Sequence, residues 1–224
     1  MESYKENLIN LLLRANALRF GEYTLKSGRI SPYFINAGMF CTGSHIAELG
    51  EYYADAIKNI TGGDFDIIFG PAYKGIPLAT TAASSLYRKY GIDKGVSYNR
   101  KEAKDHGEGG ILVGAPLKDG DKIIIIEDVI AAGTAVRECM PILKSAAKVS
   151  VNDMFIMVDR MEVGQNGKKA PQEIFELFGI KVHALVNTTE IVEYLHNREI
   201  NGKVVIDDAM KAKIDEYMGR YCEI

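Results

Sequence analysis

The sequence predicts an α/β fold: a central parallel sheet flanked by helices, preceded by a small N-terminal subdomain. Three observations carry this. From about residue 65 onward, apolar runs of strand length alternate with helix-length amphipathic segments, the pattern that βαβ units require. The run KIIIIE (122–127) is apolar at successive positions, so both of its faces need cover, as in the middle of a parallel sheet. The stretch from Phe20 to Gly38 instead mixes aromatics, Gly and Pro in rough alternation, which suits a hairpin or small separate sheet.

Taken in order, Leu8, Leu11, Leu12 and Ala15 fall at helical spacing and predict a helix over 3–18. The hairpin region follows. Ile46, Leu49, Tyr53, Ala56, Ile57 and Ile60 predict a second helix over 44–60. Strands are expected at 65–70, 94–98, 122–127, 149–158 and 181–186, with helices over 75–90 and 134–147. Pro141 is expected to kink the latter helix. Met210, Ile214, Met218 and Tyr221 mark a final helix.

Composition narrows the class. A chain of 224 residues, 47% hydrophobic and 25% charged, can bury a sizeable core without staples. A net charge of −3 gives no basic field for nucleic acid. The three cysteines, Cys41, Cys139 and Cys222, are far apart and show no metal-ligand spacing, which suits a reduced cytoplasm. The first residues lack the basic-then-apolar order of a signal peptide, and no apolar run approaches the roughly 20 residues of a membrane helix. His45, His183 and His196 stand apart from one another, and no Ser-His-Asp or HExxH pattern supports hydrolysis.

The stretch IIIIEDVIAAGTA (123–135) carries the chemistry. It places Glu127 and Asp128 at the carboxyl end of the strongest strand, the edge where parallel sheets bind ligands. The small residues that follow leave backbone N–H groups open to an anion at a helix start, and Thr134 adds a hydroxyl. A phosphate suits the loop, while two carboxylates beside it would repel that phosphate unless something lay between. A ribose 5-phosphate meets both demands, because its hydroxyls donate to the acids while its phosphate sits in the loop. The same residues alone are equally consistent with a strand ending in two solvated acids and an ordinary turn. No Walker loop GxxxxGK[ST] is present.

In its order of apolar strand, acidic pair, small-residue loop and Gly-Thr, this stretch resembles the phosphoribosyl diphosphate (PRPP) loop of type I phosphoribosyltransferases. TLKSGRISPYFINAG (24–38), FGPAYKGIPLAT (69–80) and NRKEAKDHGEGG (99–110) look like orotate phosphoribosyltransferase. The likeness runs from about Phe20 to Arg160 and continues more weakly to the C-terminus. It implies residues 1–40 as a hood subdomain, with possible C-terminal additions, and 41–224 as a PRPP-binding core. It also implies Mg²⁺-dependent transfer of ribose 5-phosphate from PRPP to N1 of orotate, yielding orotidine 5′-monophosphate and diphosphate. The Mg²⁺ would be held through PRPP and water, without a direct protein ligand. A cytoplasmic homodimer with shared sites is implied, with no nucleic acid or membrane partner.

The resemblance assigns residues as follows. Lys26, Lys104 and Asp128 would be catalytic. PRPP would meet Lys26, Tyr73, Lys74, Arg100, Lys101, Lys104, His106 and the run Glu127, Asp128, Val129, Ile130, Ala131, Ala132, Gly133, Thr134 and Ala135. Orotate would meet Phe34, Ile35, Ala131 and Arg160. Residues 99–110, basic and Gly-rich, suit a mobile lid or a plain solvated loop. In the family this loop reaches across a dimer, with Arg100 and Lys104 serving the neighbour's site. Lys74 suits diphosphate oxygens as a point charge, or a turn with a snorkelling lysine. The Arg160 guanidinium matches the orotate carboxylate, and a surface ion pair with Asp159 or Glu162 is the other reading. Phe34 and Ile35 can equally be core.

Two departures stand out. Ala131 replaces the family's usual Thr or Ser, which forgoes a neutral hydrogen bond worth roughly 0.5–1.5 kcal/mol. Ile35 replaces a common Phe. The rivals are a transferase for another base and a noncatalytic regulator of the same fold that binds nucleic acid. Orotate-dependent PRPP consumption and titration with RNA or DNA separate these readings.

Overall fold

The computed structural model describes residues 2–25, 27–104, 110–130, 133–164 and 167–222, with the backbone alone at 103 and 104. The chain opens with helix α1 (Ser3–Arg14), whose Leu8, Ile9, Leu11 and Leu12 are fully buried. Asn16 then takes a positive φ of 54°, and the helix stops short of residue 18. Strands β1 (Leu18–Thr24) and β2 (Ile30–Ile35) form a separate two-stranded antiparallel sheet. A 3₁₀ turn (Ala37–Met39) leads to α2 (Gly43–Thr61), capped by Thr42 and ended by Gly62 in the left-handed region.

The main sheet begins at β3 (Ile67–Gly70). Helix α3 (Gly75–Tyr90), β4 (Gly95–Lys104), β5 (Gly110–Gly114) and β6 (Lys122–Val129) follow. Then come α4 (Thr134–Ala146), β7 (Ser150–Asp159), α5 (Ala170–Phe178) and β8 (Lys181–Asn187). The chain closes with α6 (Thr188–Leu195), a small ribbon of β9 (Glu199–Ile200) and β10 (Lys203–Val204), and α7 (Asp208–Tyr221).

The six main strands lie in the order β5-β4-β3-β6-β7-β8. All neighbours are parallel except β4 and β5. The sheet is therefore mixed: an antiparallel edge strand extends an otherwise parallel core. In β6, Ile124 and Ile126 join the core under α2, α3 and the N-terminal elements, while Ile123 and Ile125 join a second core against α4 and α5. Period-two alternation thus divides four consecutive isoleucines between two layers. Pro141 lies inside α4. Among the described residues no helix is long and apolar enough to cross a membrane.

Three differences from the sequence reading have physical causes. Strand β4 runs on through the charged residues 99–104, with Asn99 and Lys104 paired antiparallel to Leu112 and Gly110 of β5 and an irregularity in register between them; pairing at the two ends of the segment overrides its weak strand propensity. Helix α5 was not foreseen, although Pro171 near its start and Gly179 just past its end mark it. Helix α6 was also missed. It starts directly at the end of β8 behind a capping box of Asn187 and Glu190.

Candidate active site

The chain leaves β3 toward β4 on one side and later returns to place β6 on the other. The crevice at such a reversal opens beyond the strands' carboxyl ends. There β3 gives way to Pro71, Ala72, Tyr73 and Lys74, and the Ala72–Tyr73 peptide is cis. Helix α3 starts tight against the strands. A Cβ on Gly75 would lie 2.9 Å from the Ile126 carbonyl oxygen and 2.9 Å from the Gly70 carbonyl carbon. Only glycine admits that approach, and it brings Lys74 up to the end of β6. On the β6 side, Gly133 turns the chain into α4 with a φ of 66°.

A cavity of about 300 Å³ occupies this crevice. Tyr73 and Lys74 line one side, and Glu127 and Asp128 another. Val129, Ile130, Gly133, Thr134 and Ala135 complete the rim leading into α4. Met154 of β7 also faces the cavity. Nine of the residues assigned to PRPP thus meet around one space. Ala131, Ala132 and Lys26 lie outside the described residues.

The electrostatics are asymmetric. Lys74 Nζ lies 2.9 Å from Asp128 Oδ2, joining an exposed cation to a buried carboxylate. Asp128 Oδ1 accepts the Val129 N–H at 2.8 Å. Glu127 accepts the Asp128 N–H at 3.1 Å. Burial, reinforced by the like charge of Asp128, pushes the Glu127 carboxyl up to about 8. Tyr53 of α2, fully buried, donates its hydroxyl to the Glu127 carbonyl oxygen at 2.8 Å. The acids are therefore held inward at the cavity, and the reading of two solvated acids fails on their burial.

Arg100 and Lys101 sit on β4, on a strand where a loop was expected. Arg100 donates to the Gly110 carbonyl across the hairpin at 3.1 Å. Lys101 pairs with Glu138 of α4 at 2.9 Å. The Lys104 side chain and His106 lie outside the described residues.

Of the residues assigned to orotate, Phe34, Ile35 and Arg160 do not line this cavity. Phe34 stacks on Tyr23, with centroids 5.4 Å apart, and Ile35 packs on the main core. Arg160, just past β7, lies over the Tyr33 ring at 4.3 Å and bonds Glu162 and Ser31. Arg160 thus pairs with Glu162, but with side chains 15% and 20% exposed this is a largely buried pair and not the surface ion pair of the other reading. His183 and His196 pair with Asp153 and Asp208. Among the described residues no three metal-ligating side chains converge.

Sequence reasoning passed over four residues that shape this region. Asn99, buried on β4, accepts the Ala72 N–H at 3.1 Å and donates to the Arg100 carbonyl at 3.1 Å. It joins the Tyr73–Lys74 turn to the base of the basic hairpin. Tyr53 appeared only as one member of an apolar stripe, where its hydroxyl gave no signal. Glu162 was weighed only as an ordinary ion-pair partner, and Ser31 was not singled out. Each has at least one partner far away in the chain.

The sequence matches the phosphoribosyl transferase domain family over residues 44–177. It is 52% identical over 221 residues to an orotate phosphoribosyltransferase of Clostridium acetobutylicum, covering 99% of each chain. That of Clostridium beijerinckii is 50% identical over 221 residues, again with 99% of each covered. The fold superposes on a crystal structure of orotate phosphoribosyltransferase from Francisella tularensis with a TM-score of 0.83 and 38% identity, covering 97% of this chain and 100% of the other.

Proposed function

This chain belongs to the type I phosphoribosyltransferases, among the orotate phosphoribosyltransferases, and from that premise we propose how its cavity works. The reaction transfers ribose 5-phosphate from PRPP to N1 of orotate, giving orotidine 5′-monophosphate and diphosphate in pyrimidine biosynthesis. The observation that carries the proposal is a single cavity flanked by a buried acidic pair, a helix-start loop and Lys74.

The 5′-phosphate sits against the amides and the Thr134 hydroxyl at the start of α4, where the helix dipole favours an anion. The ribose hydroxyls bond Glu127 and Asp128. Lys74 exchanges its bond to Asp128 for the donor's diphosphate oxygens. As the C1–O bond breaks, the departing diphosphate gains charge. Lys74, Lys26, Arg100, Lys101, Lys104 and His106 stabilise that charge. Asp128 stabilises the positive character that develops on the sugar, and Glu127, whose carboxyl is raised to about 8, adds to it when its proton is lost. Orotate presents N1 from the opposite face, beside Phe34, Ile35 and Arg160, and as N1 bonds C1 it gives up its proton, which the departing diphosphate can accept. Hairpin closure excludes water that would otherwise hydrolyse the donor.

Mg²⁺ fits the donor set. Asp128 and Glu127 offer hard oxygen donors beside the cavity, and Mg²⁺, held mainly through PRPP and water, would supply charge neutralisation for the diphosphate there. The assembly is a homodimer, with Arg100 and Lys104 completing the neighbour's site.

The test mixes two inactive variants, Lys104→Ala and Asp128→Ala. Each alone should lose roughly 10²-fold or more in turnover. Hybrid dimers contain one site with both intact contributions, so mixing should restore up to about a quarter of wild-type activity by random pairing. No recovery, with hybrids verified by mass, would exclude the shared site. Full activity of Lys104→Ala alone would remove its catalytic role.

A further inference from the structure

We propose that Glu162, braced by Tyr217 of the C-terminal helix, is the positioning residue that aims Arg160 at the carboxylate of the base and so sets selectivity for orotate. The inference rests on the assignment of Arg160 to the base site. It adds a residue and an element that lie outside every motif carrying the family resemblance.

Glu162 is the hub of a half-buried cluster drawn from distant parts of the chain. Its Oε1 accepts Arg160 Nε at 2.8 Å and lies 2.6 Å from Arg160 Nη2. The Tyr217 hydroxyl donates to the same oxygen at 2.7 Å. Oε2 lies 3.6 Å from Arg29 Nη1. The Arg160 guanidinium is covered on one face by the Tyr33 ring and tied by Nη2 to the Ser31 hydroxyl at 3.1 Å. Its side chain is 15% exposed and that of Glu162 is 20% exposed.

This geometry has a direction. Glu162 occupies the Nε–Nη2 edge, and the ring beneath stops the plane from tilting. Nη1 bonds nothing among the described residues and remains available to an incoming acceptor. Charge agrees with that reading. Two guanidinium groups, Arg29 and Arg160, share one carboxylate, Glu162, so these paired groups hold one positive charge more than they neutralise, with Asp159 the next carboxylate nearby. Orotate brings a carboxylate and uracil lacks one. A planar donor fixed in advance loses little freedom on binding a planar acceptor.

The opposing electrostatic expectation makes the proposal testable. If Glu162 only diluted positive charge, its removal would tighten the binding of an anionic base. If it aims Arg160, removal loosens binding. Glu162→Gln should raise the KM for orotate by about 10-fold, the weight of one charge-assisted hydrogen bond. The KM for PRPP should stay within about 2-fold. Preference for orotate over uracil should fall in the same proportion. Tyr217→Phe, which deletes one hydroxyl from a packed ring, should show the same split at about 3-fold. It serves if Glu162→Gln fails to fold. An unchanged or lower orotate KM in the folded variants would overturn the proposal. Arg160→Ala, assayed alongside, separates the two levels. Loss of orotate binding there, without loss in the Glu162 and Tyr217 variants, refutes this inference alone. An unchanged orotate KM in Arg160→Ala refutes the base-site assignment and the inference together.

Discussion

Lys74 and Asp128 face each other across the reversal point of the sheet, Nζ to Oδ2 at 2.9 Å, from chain segments at the ends of neighbouring strands. The lysine is 60% exposed and the aspartate 7%. A pair so open on one side adds little to stability, yet the proposed mechanism brings the diphosphate to its lysine. Lys74→Ala should therefore cost under about 1 kcal/mol in unfolding free energy. It should lower kcat/KM for PRPP by roughly 10²-fold, the weight of one preorganised charge on a leaving group. Urea unfolding and initial-rate kinetics on one preparation check both. Equal losses in stability and activity would mean that the pair is a structural strut.

Asn99 binds two backbone segments at once, the Ala72 N–H and the Arg100 carbonyl. Its replacement by Ala leaves a partly buried N–H and carbonyl without their partner, at a cost of about 1–3 kcal/mol. The Tyr73–Lys74 turn and the hairpin base then lose their common tie. We expect Asn99→Ala to melt lower and to raise the KM for PRPP, with the orotate KM little changed. Unaltered PRPP kinetics in a destabilised variant would confine Asn99 to the fold.

Glu127 gives a pH prediction. Its carboxyl is raised to about 8, first by burial and then by the like charge of Asp128. A raised folded-state value means that the folded protein holds this proton more tightly than the unfolded chain. The associated stability is complete below the ordinary carboxylate range near 4.5 and is lost as pH climbs through about 8. Glu127→Gln is neutral throughout. Its melting temperature relative to wild type should rise between pH 5 and pH 9, by an increment on the order of a few kcal/mol in stability. A difference that stays flat across this window would show that Glu127 ionises normally in the folded protein.

The parts legible in sequence were those governed by local pattern. The double-faced apolar run forecast a central strand, and its isoleucines indeed split between two cores. The placement of the acids at a strand end followed from the same run. Other features depend on pairings that no window contains. Residues 99–104 read as a loop because their charges disfavour a strand, and only the partner β5 reverses that. Lys74 meets Asp128, and Glu162 meets Tyr217, across 54 and 55 positions of chain. A carboxylate next to an arginine in sequence looks like a surface pair; the Tyr33 ring and the C-terminal helix turn it into a clamp. Helices α5 and α6 are a different case, since their Pro, Gly and capping-box signals were present locally and were outweighed by weak periodicity.

Tyr53 offers a test of how the acidic pair is held. Its ring is fully buried, and its hydroxyl donates to the Glu127 carbonyl at 2.8 Å, outside the cavity. Burial, with the charges of Asp128 and Glu127 adding to it, keeps the phenol protonated well beyond its ordinary range. The bond therefore persists at any pH where the enzyme is assayed. Tyr53→Phe preserves the ring and deletes only the donor, leaving a buried carbonyl short of a partner at about 1–3 kcal/mol. If that bond fixes the turn of backbone carrying both acids, the variant should also bind PRPP several-fold more weakly while the orotate KM holds. The stability loss should be the same at pH 6 and pH 9, because the deleted donor does not titrate in that window. A loss that grew with pH would show that the hydroxyl acts on the Glu127 ionisation and not on the backbone alone. Unchanged PRPP binding would leave the bond as a core contact without influence on the site.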